Sequence, residues 1–189
     1  MVPILDVSGN VIAFGGRLLE DGKQPKYLNT SDTPAFRKSK NLFALNFAKD
    51  YCSDRMILCE GYMDVIALHG AGFSNAVATL GTAMTPDHAR MMKRYTKSVV
   101  ISYDADTAGQ NAADKAFRLL GEVGLEARLL KVENAKDPDE FIKKFGKDAF
   151  RKLLDGSKPQ FEFKFDRIAG KYNLNSLEDK IKASGEVAR

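Results

Sequence analysis

Ser98-Val99-Val100-Ile101-Ser102-Tyr103-Asp104-Ala105-Asp106-Thr107 sets a short apolar run directly in front of two carboxylates. Met56-Ile57-Leu58-Cys59-Glu60-Gly61 has the same form earlier in the chain. Ala76-Val77-Ala78-Thr79-Leu80, ended by Gly81-Thr82, and Glu126-Ala127-Arg128-Leu129-Leu130-Lys131-Val132 complete the set of strand-like runs. Their apolar residues are mostly continuous rather than alternating, which marks strands buried on both faces. Helix-like stretches separate them. Tyr62 to His69 is closed by Gly70-Ala71-Gly72-Phe73. Thr85-Pro86 opens a second helix, with Thr as N-cap and Pro at the first helical position. Thr107 is expected to cap a third, running to about Gly121, with Gln110 completing a capping box. This alternation predicts an α/β fold, a mainly parallel sheet covered by helices on both faces.

The flanks read differently. Pro3 to Val7 and Val11 to Gly16, separated by Ser8-Gly9-Asn10, form two strands joined by a turn. Gln24-Pro25-Lys26-Tyr27-Leu28-Asn29 is extended, because Pro cannot donate to a ladder and biases its predecessor away from helix. One short helix is expected around Leu42 to Lys49. From Asp139 onward the chain reads as helical: Asp139 to Phe145, Asp148 to Leu154, and a last helix capped by Ser176 and running to Arg189. Pro159 to Ala169 carries Phe161, Phe163, Phe165 and Ile168 at a mixed spacing that fits no single assignment. The expected organisation is a partial, β-rich N-terminal subdomain over 1–53, the α/β domain over 54–150, and the start of a C-terminal helical subdomain over 151–189. Val2 to Leu5 reads as a strand already under way, so a fragment of a longer protein is expected.

Composition narrows the classes. The 189 residues are 44% hydrophobic and 29% charged, as in an ordered globular protein. A net charge of +4 permits phosphate binding without establishing it. Cys52 and Cys59 make neither a disulfide framework nor a structural zinc site, so reduced thiols in a cytoplasmic protein are expected. No apolar run has the length of a membrane span, and the N-terminus is not a signal peptide.

Ligands of parallel sheets bind outside the C-terminal strand ends, and three acidic groups fall there. Glu60 follows the first strand, with Asp64 one turn into the next helix. Asp104 and Asp106 follow the third strand; side chains two apart share a face of extended backbone and can aim at one ion. Asp137 and Asp139 flank Pro138 after the fourth. Each group alone reads as a cap or a solvated loop charge. Three together at one sheet edge predict a Mg²⁺ or Mn²⁺ site, since hard oxygen donors suit these ions rather than zinc, and a cation keeps crowded carboxylates ionised. Glu60 is then placed to act as acid or base. His69 and His88 read as surface or packing residues. The phenylalanines from 141 to 165 read as core of the C-terminal helices, and the lysines from Lys143 to Lys171 as a solvated face.

Glu60-Gly61-Tyr62-Met63-Asp64, Thr79-Leu80-Gly81-Thr82-Ala83, Asp104-Ala105-Asp106-Thr107-Ala108-Gly109 and Lys136-Asp137-Pro138-Asp139-Glu140 resemble, in order, the TOPRIM domain of bacterial replicative DNA primases. Phe14-Gly15-Gly16-Arg17 and Pro25-Lys26-Tyr27-Leu28-Asn29 resemble the segment before TOPRIM in that family. The resemblance implies a nucleotidyltransferase that makes short RNA primers on single-stranded DNA. Glu60 would be its acid/base. Asp104 and Asp106, with Asp137 or Asp139, would hold the metals, with Asp64 nearby. Arg17, Lys26 and Lys38 would face the template or the incoming nucleoside triphosphate. It also implies a monomer that meets the replicative helicase through a domain absent from this sequence, as is the family's zinc-binding domain. Thr107 departs from the pattern, standing where many primases carry Arg.

Rival readings are a haloacid-dehalogenase-type phosphatase, another TOPRIM enzyme such as a nuclease or topoisomerase, and a non-catalytic nucleic-acid-binding module. The first is disfavoured because its Asp-x-Asp-x-Thr motif opens its domain, whereas Asp104 here follows two earlier strand–helix units.

Overall fold

The computed structural model describes residues 1–18, 27–103, 106–132, 134–135, 137–173 and 175–187. Lys26 and Asp104 lie outside the described residues.

The N-terminal strands are β1 (Val2–Leu5), β2 (Val11–Arg17) and β3 (Tyr27–Asn29), an antiparallel sheet in that order. The β1–β2 turn is held by Asp6, whose Oδ1 accepts from the backbone N–H of Ser8 and of Asn10, both at 2.9 Å. A 3₁₀ turn at Lys38–Lys40 and the short helix α1 (Leu45–Ala48) follow. The second sheet is built from β4 (Met56–Cys59), α2 (Tyr62–Gly70), β5 (Ala76–Ala78), α3 (Pro86–Lys93), β6 (Ser98–Ser102), α4 (Thr107–Glu122) and β7 (Glu126–Leu129). Then come α5 (Pro138–Phe145), α6 (Lys147–Asp155), β8 (Lys158–Pro159), α7 (Gln160–Ala169) and α8 (Leu177–Val187).

Strand order in the second sheet is β5-β4-β6-β7-β8. The first four are parallel, and β8 adds an antiparallel edge. Side chains alternate between two cores. Met56, Leu58, Val77, Val99 and Ile101 join Leu45, Met92, Ala113 and Phe117 on one face. Ile57, Cys59, Ala76, Ala78 and Val100 join Leu68, Phe150 and Leu154 on the other. Every strand residue named is fully buried, which is why the strands read as continuous apolar runs. The helix faces are those that crossovers of a single hand require. The chain moves from β4 outward to β5 through α2 on one face. It then returns across β4 to β6 and on to β7 through α3 and α4 on the other. That reversal puts the topological switch point between the C-terminal ends of β4 and β6, where a ligand crevice belongs.

Three details go beyond or correct the sequence-based expectations. The cap of α4 is Asp106, whose Oδ1 accepts from the Gly109 N–H at 2.7 Å, and Thr107 is the first helical residue. The fourth strand stops at Leu129, although the Leu130 N–H still donates to the Ile101 carbonyl at 2.8 Å. Pro159 to Ala169 resolves into β8 and α7. The pair Lys158–Pro159 could not be read as a strand from so short a stretch. It exists because Arg128 reaches across from β7, donating from Nε to the Ser157 carbonyl at 3.0 Å.

Candidate active site

Four of the expected site residues meet in one cleft. Arg17, Glu60, Asp64 and Asp137 line an open space of about 380 Å³, together with Tyr27, Asn29, Gly61, Tyr62, Thr79 and Gly81. Each arrives by its own element. Glu60 leaves the C-terminal end of β4 and is exposed. Asp64 sits in the first turn of α2, where its Oδ2 accepts from the Gly61 N–H at 3.3 Å. A carboxylate in that position also meets the positive end of the helix. Asp137 caps α5, with Oδ1 accepting from the Glu140 N–H at 2.8 Å. Arg17 ends β2 and lies 5.8 Å from the Tyr27 ring centre. The N-terminal sheet therefore supplies the basic wall and the parallel sheet the acidic one.

The other expected residues are placed differently. Asp139 is on α5 beyond the cleft lining, paired with Lys143 at 2.6 Å. Asp106 is exposed at the head of α4. Lys38, half-buried in the 3₁₀ turn, does not line the cleft. A smaller recess of about 240 Å³ adjoins it, sharing Glu60, Thr79 and Gly81 and walled by Thr82, Ala83, Met84, Tyr103 and Ala112. Burial, with lesser contributions from Cys59 and Glu60, pushes the Tyr103 phenol well above its ordinary range.

The wall between the two sheets is tight. The buried Tyr62 donates its hydroxyl to the Gly16 carbonyl at 2.8 Å and stacks edge-on against Tyr27 at 5.6 Å. Asn29 Nδ2 donates to the Leu80 carbonyl at 3.2 Å. A Cβ on Gly15 would lie 2.9 Å from Asn29 Oδ1, and one on Gly81 would lie 2.9 Å from Asn29 Nδ2. Composition and spacing alone gave no role to Tyr62 or Asn29. Their only signal was position within the motif segments.

The donor set suits a hard divalent ion. Among the described residues no three His, Cys, Asp or Glu groups converge tightly enough to hold a metal by themselves. The carboxylates of Glu60, Asp64 and Asp137 nonetheless share the cleft. A carboxylate has about four lone-pair directions, so one cap bond leaves capacity for an ion. Mg²⁺ characteristically takes few protein carboxylates and fills its sphere with water and phosphate oxygens.

Residues 57–142 match a Toprim-like family model, and residues 1–49 match the DNA primase catalytic core, N-terminal domain. The DNA primase of Clostridium acetobutylicum is 48% identical over 98% of this chain and 31% of its own length. That of Aquifex aeolicus is 44% identical over 86% of this chain and 33% of its own. The chain belongs to the bacterial DNA primase family. It spans about a third of the length of those curated primases. Solved primase structures share the fold. The zinc-binding and RNA polymerase domains of the Aquifex aeolicus primase match with a TM-score of 0.83 at 41% identity, covering 96% of this chain and 44% of that one. A DnaG primase catalytic domain bound to single-stranded DNA matches at 0.82 and 36% identity, covering 97% and 60%. The mainly parallel sheet with its flanking helices is thus the primase catalytic-core fold. Among the described residues no helix is long and apolar enough to cross a membrane.

Proposed function

We propose that this chain is part of a primase catalytic core that joins nucleotides into short RNA primers on a single-stranded DNA template. The shared cleft carries the reading: Glu60, Asp64 and Asp137 line the same space as Arg17, beyond the C-terminal ends of β4 and β5. Arg17 pairs with phosphate oxygens of the template or the incoming nucleoside triphosphate, as charge-assisted bonds favour. Glu60 accepts the proton of the primer 3′-hydroxyl while that oxygen bonds the α-phosphorus and the bond to the pyrophosphate leaving group breaks. Asp64 and Asp137, with Asp104 and Asp106 from the third motif, hold Mg²⁺ or Mn²⁺. Bound there, such an ion would supply positive charge against the triphosphate and offset the charge that develops on the leaving group. Asp137 is preferred to Asp139 for this role, because Asp139 is paired with Lys143 outside the cleft. Lys26 and Lys38 extend the basic surface along the nucleic acid. Residues 54–150 form the TOPRIM domain in this reading, between partial subdomains over 1–53 and 151–189. A cytoplasmic setting and contact with the replicative helicase through another domain of the longer protein belong to the same proposal.

The test is calorimetric titration with Mn²⁺, with and without a nucleoside triphosphate. Wild type should bind, and bind more tightly with the triphosphate. Asp104→Ala and Asp106→Ala should lose both effects. Binding indifferent to those substitutions would remove the metal from the site and leave a nucleic-acid-binding module as the better reading.

A further inference from the structure

His88 is fully buried at the third position of α3, and both ring nitrogens are engaged. Nδ1 accepts the Thr85 N–H at 3.3 Å, and Nε2 lies 2.9 Å from the Lys38 carbonyl. One tautomer satisfies both contacts: a neutral ring with its proton on Nε2, donated to Lys38. Thr85 makes the partner contact. Its hydroxyl donates to the Ser39 carbonyl at 2.7 Å while accepting the His88 N–H at 3.2 Å. Two successive carbonyls of the 3₁₀ turn are thereby tied to the head of α3.

That turn has little else to hold it. It is three residues long and buries none of its own side chains. Among the described residues its other hydrogen bonds are Lys38 N–H to Asp32 Oδ1 at 3.0 Å, Lys40 N–H to the Arg37 carbonyl at 2.9 Å and Asn41 Nδ2 to that same carbonyl at 2.9 Å. Arg37, Lys38 and Lys40 give it three cationic side chains in four residues. It is anchored beside the cleft, because Thr85 directly follows Thr82, Ala83 and Met84, which wall the recess at Glu60.

We propose that His88, with Thr85, is a positioning residue that fixes the basic turn Arg37–Lys40 for contact with nucleic-acid phosphates. The ring touches no substrate. It holds the turn's carbonyls inward, so the cations stand preordered and binding does not have to offset the entropy of ordering them. This inference rests on the reading that Lys38 faces nucleic acid.

The experiment measures binding of a single-stranded oligothymidylate over a range of salt for wild type, Lys38→Ala, His88→Asn, His88→Gln and the double variant Lys38→Ala/His88→Asn. Lys38→Ala should weaken binding several-fold and flatten the salt slope by about 0.7, the value for one phosphate contact on a single strand. His88→Asn cannot reach the Lys38 carbonyl and should reproduce both effects, with little further loss in the double variant. His88→Gln keeps a donor near the Nε2 position and should restore the slope. A purely structural histidine would lower the melting temperature, leave the slope unchanged, and add to Lys38→Ala. If His88→Asn does not fold, Thr85→Val decides, because it deletes the Ser39 bond and the cap on the His88 N–H while leaving the buried ring in place. Wild-type binding and slope in folded His88→Asn, or in Thr85→Val where that variant decides, would overturn the inference while leaving the Lys38 reading intact. Wild-type binding by Lys38→Ala would instead overturn that reading, and the inference with it.

Discussion

Asp106 and Asp137 each hold the first turn of a helix with one carboxylate oxygen while standing among the proposed metal ligands. The two roles separate by substitution, since Asn caps a helix about as well as Asp but carries no charge. Asp106→Asn and Asp137→Asn should lose Mn²⁺ affinity in calorimetry with little change in thermal stability. Asp106→Ala and Asp137→Ala should lose the affinity and about 1 kcal/mol of stability as well. Sequence reading found these carboxylates because strand ends of parallel sheets are where charge is functional. It put the cap of α4 one residue late, at Thr107, because two good capping residues stood side by side and only the backbone path chooses between them. The thiols are legible in another way. Cys52 and Cys59 are both fully buried, and burial pushes each thiol up, Cys59 strongly. Neither should react with an aromatic disulfide reagent in the native protein at neutral pH, and both should react after unfolding.

Among elements, the junction between the 3₁₀ turn and α3 is sensitive to acid. Burial depresses the His88 imidazole below its ordinary value, outweighing the Lys38 and Asn41 backbone contacts and the nearby Asp87 carboxylate. The unfolded chain therefore takes up this proton first. The stability contributed is whole above about pH 6.5 and is lost as pH falls from there toward the lower folded-state value. Urea unfolding from pH 8 to pH 5 should show a steeper loss of stability for wild type than for His88→Gln. The loop after β5 is constrained by space instead of charge. Gly81 has φ +71°, and a Cβ there would meet Asn29 Nδ2 at 2.9 Å. Gly81→Ala should lower stability by about 1 kcal/mol or more in chemical denaturation and disturb the wall of the cleft. The two elements hardest to foresee, β8 and the true end of β7, depend on Arg128 and Ser157 meeting across a long sequence gap.

For the whole molecule, the buried core is continuous across residues 53 and 54. Ile4, Ala13 and Phe36 share a buried cluster with Ile57, Cys59 and Val100. Leu42, Leu45 and Ala48 share the opposite cluster with Met56 and Leu58. Phe43 bridges to Ala78 at the sheet edge, its N–H donating to the Ala78 carbonyl at 2.8 Å. A chain beginning at residue 54 would leave both sheet faces partly bare. It should lack a cooperative thermal transition and bind a hydrophobic dye, whereas the full chain should melt cooperatively. On the far side, Phe150 is fully buried against Phe73 and Phe141. Phe150→Ala should cost about 3–5 kcal/mol in denaturant unfolding.

The parallel sheet, its helices and the acidic strand ends are legible along the chain alone. Those follow from local periodicity, from Pro and Gly punctuation, and from the rule that ligands sit beyond C-terminal strand ends. Which of those groups share a space is set by packing between distant segments. Arg17 meets Glu60 and Asp137 because the N-terminal sheet packs across the mouth of the parallel one, sealed by Tyr62, Tyr27 and Asn29. Asp139, two residues from Asp137, turns away because the helix that Asp137 caps rotates it toward Lys143. Long-range packing leaves no local periodicity, so convergence of this kind is not written in any one stretch of the chain.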